Sequence, residues 1–456
     1  MSATPVPHAQ SSNGKRPHVV VVGGGFGGVA AVRKLKRADV DITLIDRHTY
    51  NTFQPLLYQV ATASLNPGDI TWFLRAIRAK QSNVRFLKGV VTSMDHTTQT
   101  VHLASGVDVR YDYLVIAVGV TTNFFGVPGA EENSMPLYKR SQALQVRDKV
   151  FANLEYAAIN GQDRDLRLVV VGGGATGVET AGAFAEMRNL DMPTTYPELD
   201  RDRVHITLVE MLPHVLGPFA PSLRDYAKRS LEKRGVDLRL DTAVKEVRED
   251  GVLVEHEGRE EFLPAGIVVW ASGITAHPSV ADWNVPQGRG GRIETDEQRR
   301  VTGLKNVFAI GDVSIGPDEL PQLAQPAIQG GKYVAKLIRA ELKGKTYKPF
   351  SYTDKGTMAT IGRASAVAEI KFMPKLRGFL AWIIWVGLHI VTLLGNRNRF
   401  ATLTNLSAKY LTWGSHNAIV GETPYVMATT PYVVDAREEP KVSARQARKA
   451  LARDDE

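Results

Sequence analysis

The chain carries one short pattern twice, an apolar strand running into GxGxxG: HVVVVGGGFGG at 18–28 and RLVVVGGGATG at 167–177. That repeat limits the possible folds more than any other feature. A helix-forming segment follows each copy, the context in which this motif cradles a diphosphate. Gly23 and Gly172 permit a tight turn, Gly25 and Gly174 let backbone approach a pyrophosphate, and Gly28 and Gly177 let helix pack closely on strand. Bare N–H groups at each helix start then face the anion. Phe26, Gly27 and Thr176 lie inside the two loops and join them as binding candidates.

Each motif has an acidic partner. The strand DITLID ends at Asp46, about 20 residues after the first loop, where a carboxylate meets a ribose diol. Arg47 follows it directly. After the second loop a polar insertion, NLDMPTTYPELDRDR, precedes HITLVE, which ends at Glu210. A carboxylate there accepts from both ribose hydroxyls and repels a 2′-phosphate, so NADH is expected over NADPH. The plain alternative is that both are ordinary strand-end acids. Three more apolar strands, within 111–119, 266–273 and 304–314, run into Gly119, Gly273 and the Gly311–Asp312 pair. Asp312 is suited to a ribityl hydroxyl. Two dinucleotides are expected, one of them tightly held.

The expected fold is α/β, with two Rossmann-type dinucleotide-binding domains and a C-terminal membrane-docking region. Residues 1–16 read as a flexible lead without a signal-peptide core. Residues 17–124 with 296–350 read as the domain of the first, tightly held dinucleotide, interrupted by an NADH-binding domain at 125–295. MDHTTQTVHLASG, 94–106, reads as a small antiparallel excursion. Residues 351–456 form the membrane-associated portion, ending in a charged tail.

The net charge of +8 favours an anionic partner, and the 456 residues contain no cysteine. That absence excludes disulfides, thiolate metal sites and a CxxC redox pair. No metal site is expected.

With GGGFGG 23–28, FQPLLYQVATASL 53–65, YDYLVIAVG 111–119, GGGATGVETAG 172–182, AIGDV 309–313 and AQPAIQGG 324–331, the sequence resembles the two-dinucleotide-binding-domain flavoproteins. Within them it resembles the type II NADH dehydrogenases, single-subunit NADH:quinone oxidoreductases, over roughly 17–400. The resemblance implies non-covalent FAD on the first motif, with Asp46 at its ribose and Asp312 at its ribityl chain. Gln54, inside the 53–65 segment, belongs to the same set. NADH lies on the second motif, with Glu210 at its ribose. Gln325 and Gln329 match the family's AQxAxQ pattern near flavin and quinone, and Glu179 matches a glutamate held to deliver protons. Yeast-like members have a histidine where this chain has Ile328. Disulfide reductases and sulfide:quinone oxidoreductases share the scaffold but use cysteines, so neither applies.

The residues alone leave some roles open. Glu179 is a proton relay or a structural acceptor, and the two glutamines are quinone donors or a cap and flavin packing. Hydride transfer needs positioning above all.

Near the end, FLAWIIWVGLHIVTLL at 379–394 carries no formal charge when His389 is neutral. As a helix it would run about 24 Å, short of the roughly 30 Å bilayer core. Six bases, Lys371, Lys375, Arg377, Arg397, Arg399 and Lys409, flank it with no acid between 371 and 410. A helix lying on an anionic lipid surface is expected, with Trp382 and Trp385 entering the interface. A buried dimer or core helix and a short span are the alternatives. Lys371 lines a quinone channel mouth or anchors phosphates. The reading is thus a non-proton-pumping NADH:quinone oxidoreductase, peripheral on the cytoplasmic face of the cell membrane, with a homodimer allowed. Bases clustered beside an apolar run argue against nucleic acid. Rival readings are a soluble FAD-dependent NADH reductase with another acceptor, and a nucleotide-bound sensor without turnover.

Overall fold

Two five-stranded parallel sheets, each centred on a glycine-motif strand, organise residues 16–411, which the computed structural model describes. The first has the order 307–309, 113–116, 18–22, 41–46, 84–88; the second 135–136, 267–270, 166–171, 204–209, 236–239. The plan is the same in both. The motif strand lies between the strand that leads to Asp46 or Glu210 and the strand that leads on to Gly119 or Gly273. Parallel strands covered on both faces read as near-continuous apolar runs, as Val19–Val22 and Val169–Val171 do. All but one residue of the lead, together with 412–456, lies outside the described residues.

The chain leaves the first sheet at 116 and returns at 307. An antiparallel pair, Val120–Thr122 with Ile274–Ala276, ties the outgoing and returning strands. The antiparallel excursion expected at 94–106 is a three-stranded sheet formed by 91–95, 100–103 and 108–110.

Six helices position the site. They are α1 (Phe26–Lys34), α2 (Leu57–Ala61), α3 (Ala175–Glu186), α4 (Ala324–Glu341), α5 (Phe379–Thr392) and α6 (Asn396–Leu411). A last three-stranded antiparallel sheet, 357–362, 365–369 and 376–378, lies against α3 and leads into α5. Its strands and α3 share one apolar cluster with α2 and α5.

Several expectations change. The apolar helix has 14 residues, and among the described residues no helix is long and apolar enough to cross a membrane. Trp382 and Trp385 do not face outward: Trp385 is 1% exposed and packs near Tyr58 and His389. A run apolar all round carries no signal for which side turns inward. Trp385 turns in because its N–H finds a buried acceptor, Glu179, and Trp382 packs on Tyr410 with ring centroids 4.9 Å apart. Lys409 also turns inward, to Glu186 and Ser64, because that carboxylate needs a charge partner. The insertion after α3 is not merely polar. A π-helical turn at Met187–Asp191 and a short helix bury Met192, Tyr196 and Leu199.

Candidate active site

The two glycine loops are built alike. Gly23 and Gly172 sit at φ of +107° and +110°, conformations that side chains avoid. A Cβ on Gly28 or Gly177 would approach the carbonyl oxygen of Gly23 or Gly172 to well under 3.0 Å. Outward, the space is open. Nothing lies within 4 Å of a Cβ built on Gly174, and Gly25 meets only a carbonyl at 4.0 Å. Neither α1 nor α3 has an acid in its first turn or a side-chain cap, so both helix ends keep donors and positive potential for an anion.

Both strand-end acids brace their loops. Asp46 accepts from Gly24 N at 2.6 Å and His48 N at 2.7 Å. Glu210 accepts from Gly173 N at 2.5 Å and Leu212 N at 2.8 Å. Each carboxylate oxygen has a second lone pair for a ribose hydroxyl. Burial raises the Asp46 carboxyl above the usual range, against the pull of those two backbone donors and Arg47. Arg47 itself reaches His277 Nε2 at 3.4 Å.

Asp312 stands in the turn after strand 307–309, and burial pushes its carboxyl up to about 6, opposed by the charge of Arg292. Tyr138 lies among Gln54, Asp312 and Gly119: Gln54 bonds its hydroxyl, and a Cβ on Gly119 would come 3.8 Å from it. Sequence reasoning passed over Tyr138 because nothing in its local pattern sets it apart. Gly273 lies under the ring of the exposed, left-handed Phe125. Thr176 is exposed at the start of α3, and its carbonyl accepts from Thr180 Oγ1 at 2.6 Å. Gly27 packs against Ile310 and the Ala327 carbonyl of α4.

Around Glu179 the elements converge. Its Oε1 accepts from Thr360 N at 3.2 Å, and the Trp385 indole donates to it. Burial nevertheless outweighs both bonds and pushes the carboxyl up to about 8. Trp385 stacks on His389 with ring centroids 4.0 Å apart. Phe53 meets His389 edge-on at 6.0 Å, and Phe26 of the first loop meets Phe53 at 5.7 Å. Burial lowers His389 to about 4, so its ring is neutral at pH 7; Nδ1 donates to Trp385 O at 2.6 Å and leaves Nε2 as an acceptor. The link from Phe26 to Glu179 thus runs through α5, the helix read from the sequence chiefly as a surface helix.

The glutamines of α4 divide. Gln329 grips the backbone of Thr353 at both ends, accepting from its N at 3.0 Å and donating to its O at 2.9 Å. Gln325 Oε1 receives the Gln329 amide at 3.5 Å. Lys371 is exposed on the hairpin before 376–378, its Nζ 5.2 Å from the ring of Phe372, which is 95% exposed.

The outer face of this C-terminal part is apolar. Phe379, Leu380, Ile383, Leu388 and Val391 of α5 and Phe400 and Leu403 of α6 are exposed, beside Phe372 and Met373. Lys371, Lys375, Arg377 and Arg397 are exposed around them. The inner side of α6 is largely polar, with Leu406 its one buried apolar side chain among the described residues. Asn398 donates to Thr71 O, Thr402 to Asp69 O, Asn405 to the Asp69 carboxylate and Lys409 to Ser64 Oγ. Polar inward and apolar outward is the reverse of a helix on a water-facing surface.

Residues 17–331 match the pyridine nucleotide-disulphide oxidoreductase family, and residues 355–413 match the NDH2 C-terminal domain. The chain is 37% identical to type II NADH:quinone oxidoreductase NdhA of Mycobacterium tuberculosis, over 97% of this chain and 95% of that one. It is also 37% identical to the type II enzyme Ndh of the same organism, over 90% and 91%. The structure of NDH2 from Plasmodium falciparum in complex with NADH superposes with a TM-score of 0.81 at 20% identity, covering 87% of this chain and 99% of that one.

Proposed function

The chain belongs to the type II NADH:quinone oxidoreductase family, and from that membership we propose that it passes electrons from NADH through non-covalent FAD to a membrane quinone, without pumping protons. The observation that carries the reading is two open phosphate cradles joined to one buried acid, Glu179, beneath a helix whose outer face is apolar. FAD supplies the chemistry that accepts a hydride and returns two electrons. The residues do the rest.

Gly23, Gly25, Phe26, Gly27 and Gly28 hold the flavin diphosphate, Asp46 the adenosine ribose, and Asp312 the ribityl chain, with Gln54, Arg47 and Gly119 around it. Gly172, Gly174, Thr176, Gly177 and Gly273 hold NADH, and Glu210 selects it by taking the free ribose diol. Phe53, Trp385 and His389 keep water from the reaction space. Glu179, protonated at neutral pH, supplies a proton to a quinone oxygen. Gln325 donates to the quinone head, while Gln329 positions Thr353.

The apolar face and its four exposed bases dock on the anionic cytoplasmic face of a membrane, so a long-tailed quinone never leaves lipid. Lys371 anchors phosphate there. The test follows NADH absorbance with a quinone on anionic and neutral vesicles, comparing the wild type with a variant carrying Phe379→Ser, Ile383→Ser, Val391→Ser and Phe400→Ser. We expect the variant to keep flavin and lose vesicle binding together with lipid-supported turnover. Turnover indifferent to vesicles, with sedimentation as a dimer, would instead assign the face to a second copy. Replacing Lys371 and Lys375 by Ser should weaken binding to anionic vesicles roughly tenfold or more and leave neutral vesicles unaffected, because each base near an anionic surface adds about 1 kcal/mol. Equal loss on both lipids would rule out the phosphate role.

A further inference from the structure

Quinone reduction by NADH has a proton deficit. In NADH + H⁺ + quinone → NAD⁺ + quinol, the hydride carries two electrons and one proton, and the quinol needs two protons. One proton per turnover therefore comes from water, and a buried acid that gives it up has to be refilled. Resting on the quinone reading above, we infer that the seam between α3 and α6 refills Glu179, with Tyr58 and Glu186 as its relay groups.

Glu186 lies seven residues after Glu179 on α3, two turns along the same face and about 10.5 Å away along the axis. Both are 8% exposed. Both are also gripped by one neighbouring strand and its turn: Thr360 N donates to Glu179 at 3.2 Å and Arg363 N to Glu186 at 2.6 Å. That separation is too great for direct transfer. Tyr58 of α2, buried, packs its ring 6.1 Å from that of Trp385, the donor to Glu179, and its hydroxyl feels the charges of Glu179, Tyr410 and Glu186. It accepts a bond from Gln59 Nε2 at 2.9 Å and so keeps its own O–H to donate.

Two gaps in the hydrogen bonding fall in this seam. Among the described residues, four buried side-chain atoms have no partner, and Gln59 Oε1 and Asp191 Oδ2 are two of them. A buried acceptor without a donor calls for an ordered water. A water at Gln59 would lie beside the amide that bonds Tyr58, and one at Asp191 near Lys409 and Glu186, whose charges act on its carboxyl. Lys409 holds the outer end, with Nζ 3.5 Å from Glu186 and 2.5 Å from Ser64 Oγ. Asp191 lies in the π-helical turn after α3, where its neighbour Leu190 is already exposed. Such turns concentrate at functional sites. The entrance lies at that turn.

The experiment uses Tyr58→Phe and Glu186→Gln holoenzymes and reads the half-reactions separately. We expect flavin bleaching by NADH and turnover with ferricyanide, which takes electrons and no proton, to stay within a few-fold of the wild type. Reoxidation by a soluble short-chain quinone should slow at least about tenfold, with a larger solvent deuterium effect. Wild-type reoxidation in both variants overturns the relay, and so does equal slowing of both half-reactions in Tyr58→Phe, which marks a structural role. If Glu186→Gln loses flavin, Tyr58→Phe alone decides. A wild type that reduces ferricyanide but no quinone would instead overturn the quinone reading itself.

Discussion

Gly28→Ala is expected to yield a chain without flavin, and Gly177→Ala a flavoprotein that NADH does not reduce. In each variant one methyl group meets the carbonyl oxygen of its own motif's first glycine. Overpacking by a methylene commonly costs about 1–3 kcal/mol where side chains can move aside. Here the obstacle is backbone, so helix and strand must part and the cradle of N–H groups loses its aim. The measurement is the ratio of flavin to protein absorbance, then bleaching by NADH and by dithionite. Dithionite should still bleach Gly177→Ala, because its flavin cradle is untouched. A Gly177→Ala enzyme that NADH reduces normally would remove the second loop from the NADH site.

Glu179→Gln should slow reoxidation by quinone about 10²-fold, the lower end of what a positioned acid contributes, and leave reduction by NADH near normal. It should also change the pH profile. Burial raises this carboxyl from 4.5 to about 8, so the folded chain keeps a proton that the unfolded chain has lost. The resulting stability is fully present below 4.5 and is lost as pH rises through about 8. Wild-type quinone turnover should fall along the same upper limb, as the acid gives up its proton. Glutamine is neutral throughout, so the variant should lack that limb and gain thermal stability relative to the wild type above pH 8. Parallel pH profiles for the two proteins would assign Glu179 a structural role.

The two cradles were legible because GxGxxG, its strand and its acid are local features, each fixed by a backbone requirement within about 20 residues. The loop-bracing bonds of Asp46 and Glu210 were not, since a strand-end acid looks the same whether it faces solvent or a neighbouring loop. The surroundings of Glu179 were harder still. Tyr58, Thr360, Trp385 and His389 come from three separate stretches, and only the fold brings them together. Their types are those of any core. The docking run was recognised as apolar, but its facing was misjudged: Trp382 and Trp385 turn inward and Leu388 and Val391 outward. Hydropathy alone ranks these residues too closely to separate them. Lys409 was counted with the flanking bases for the same reason, that charge in a sequence carries no direction.

The polar inner side of α6 also sets an order of assembly. Its bonds from Asn398 and Lys409 reach back 327 and 345 residues, to Thr71 and Ser64. A chain emerging from the ribosome presents the strands of both sheets before that helix, so these bonds form late. Contacts of such separation are also among the slowest to form. In synthesis from the N-terminus, the helix that carries the exposed Phe400 and Leu403 is therefore among the last described elements to close on the fold.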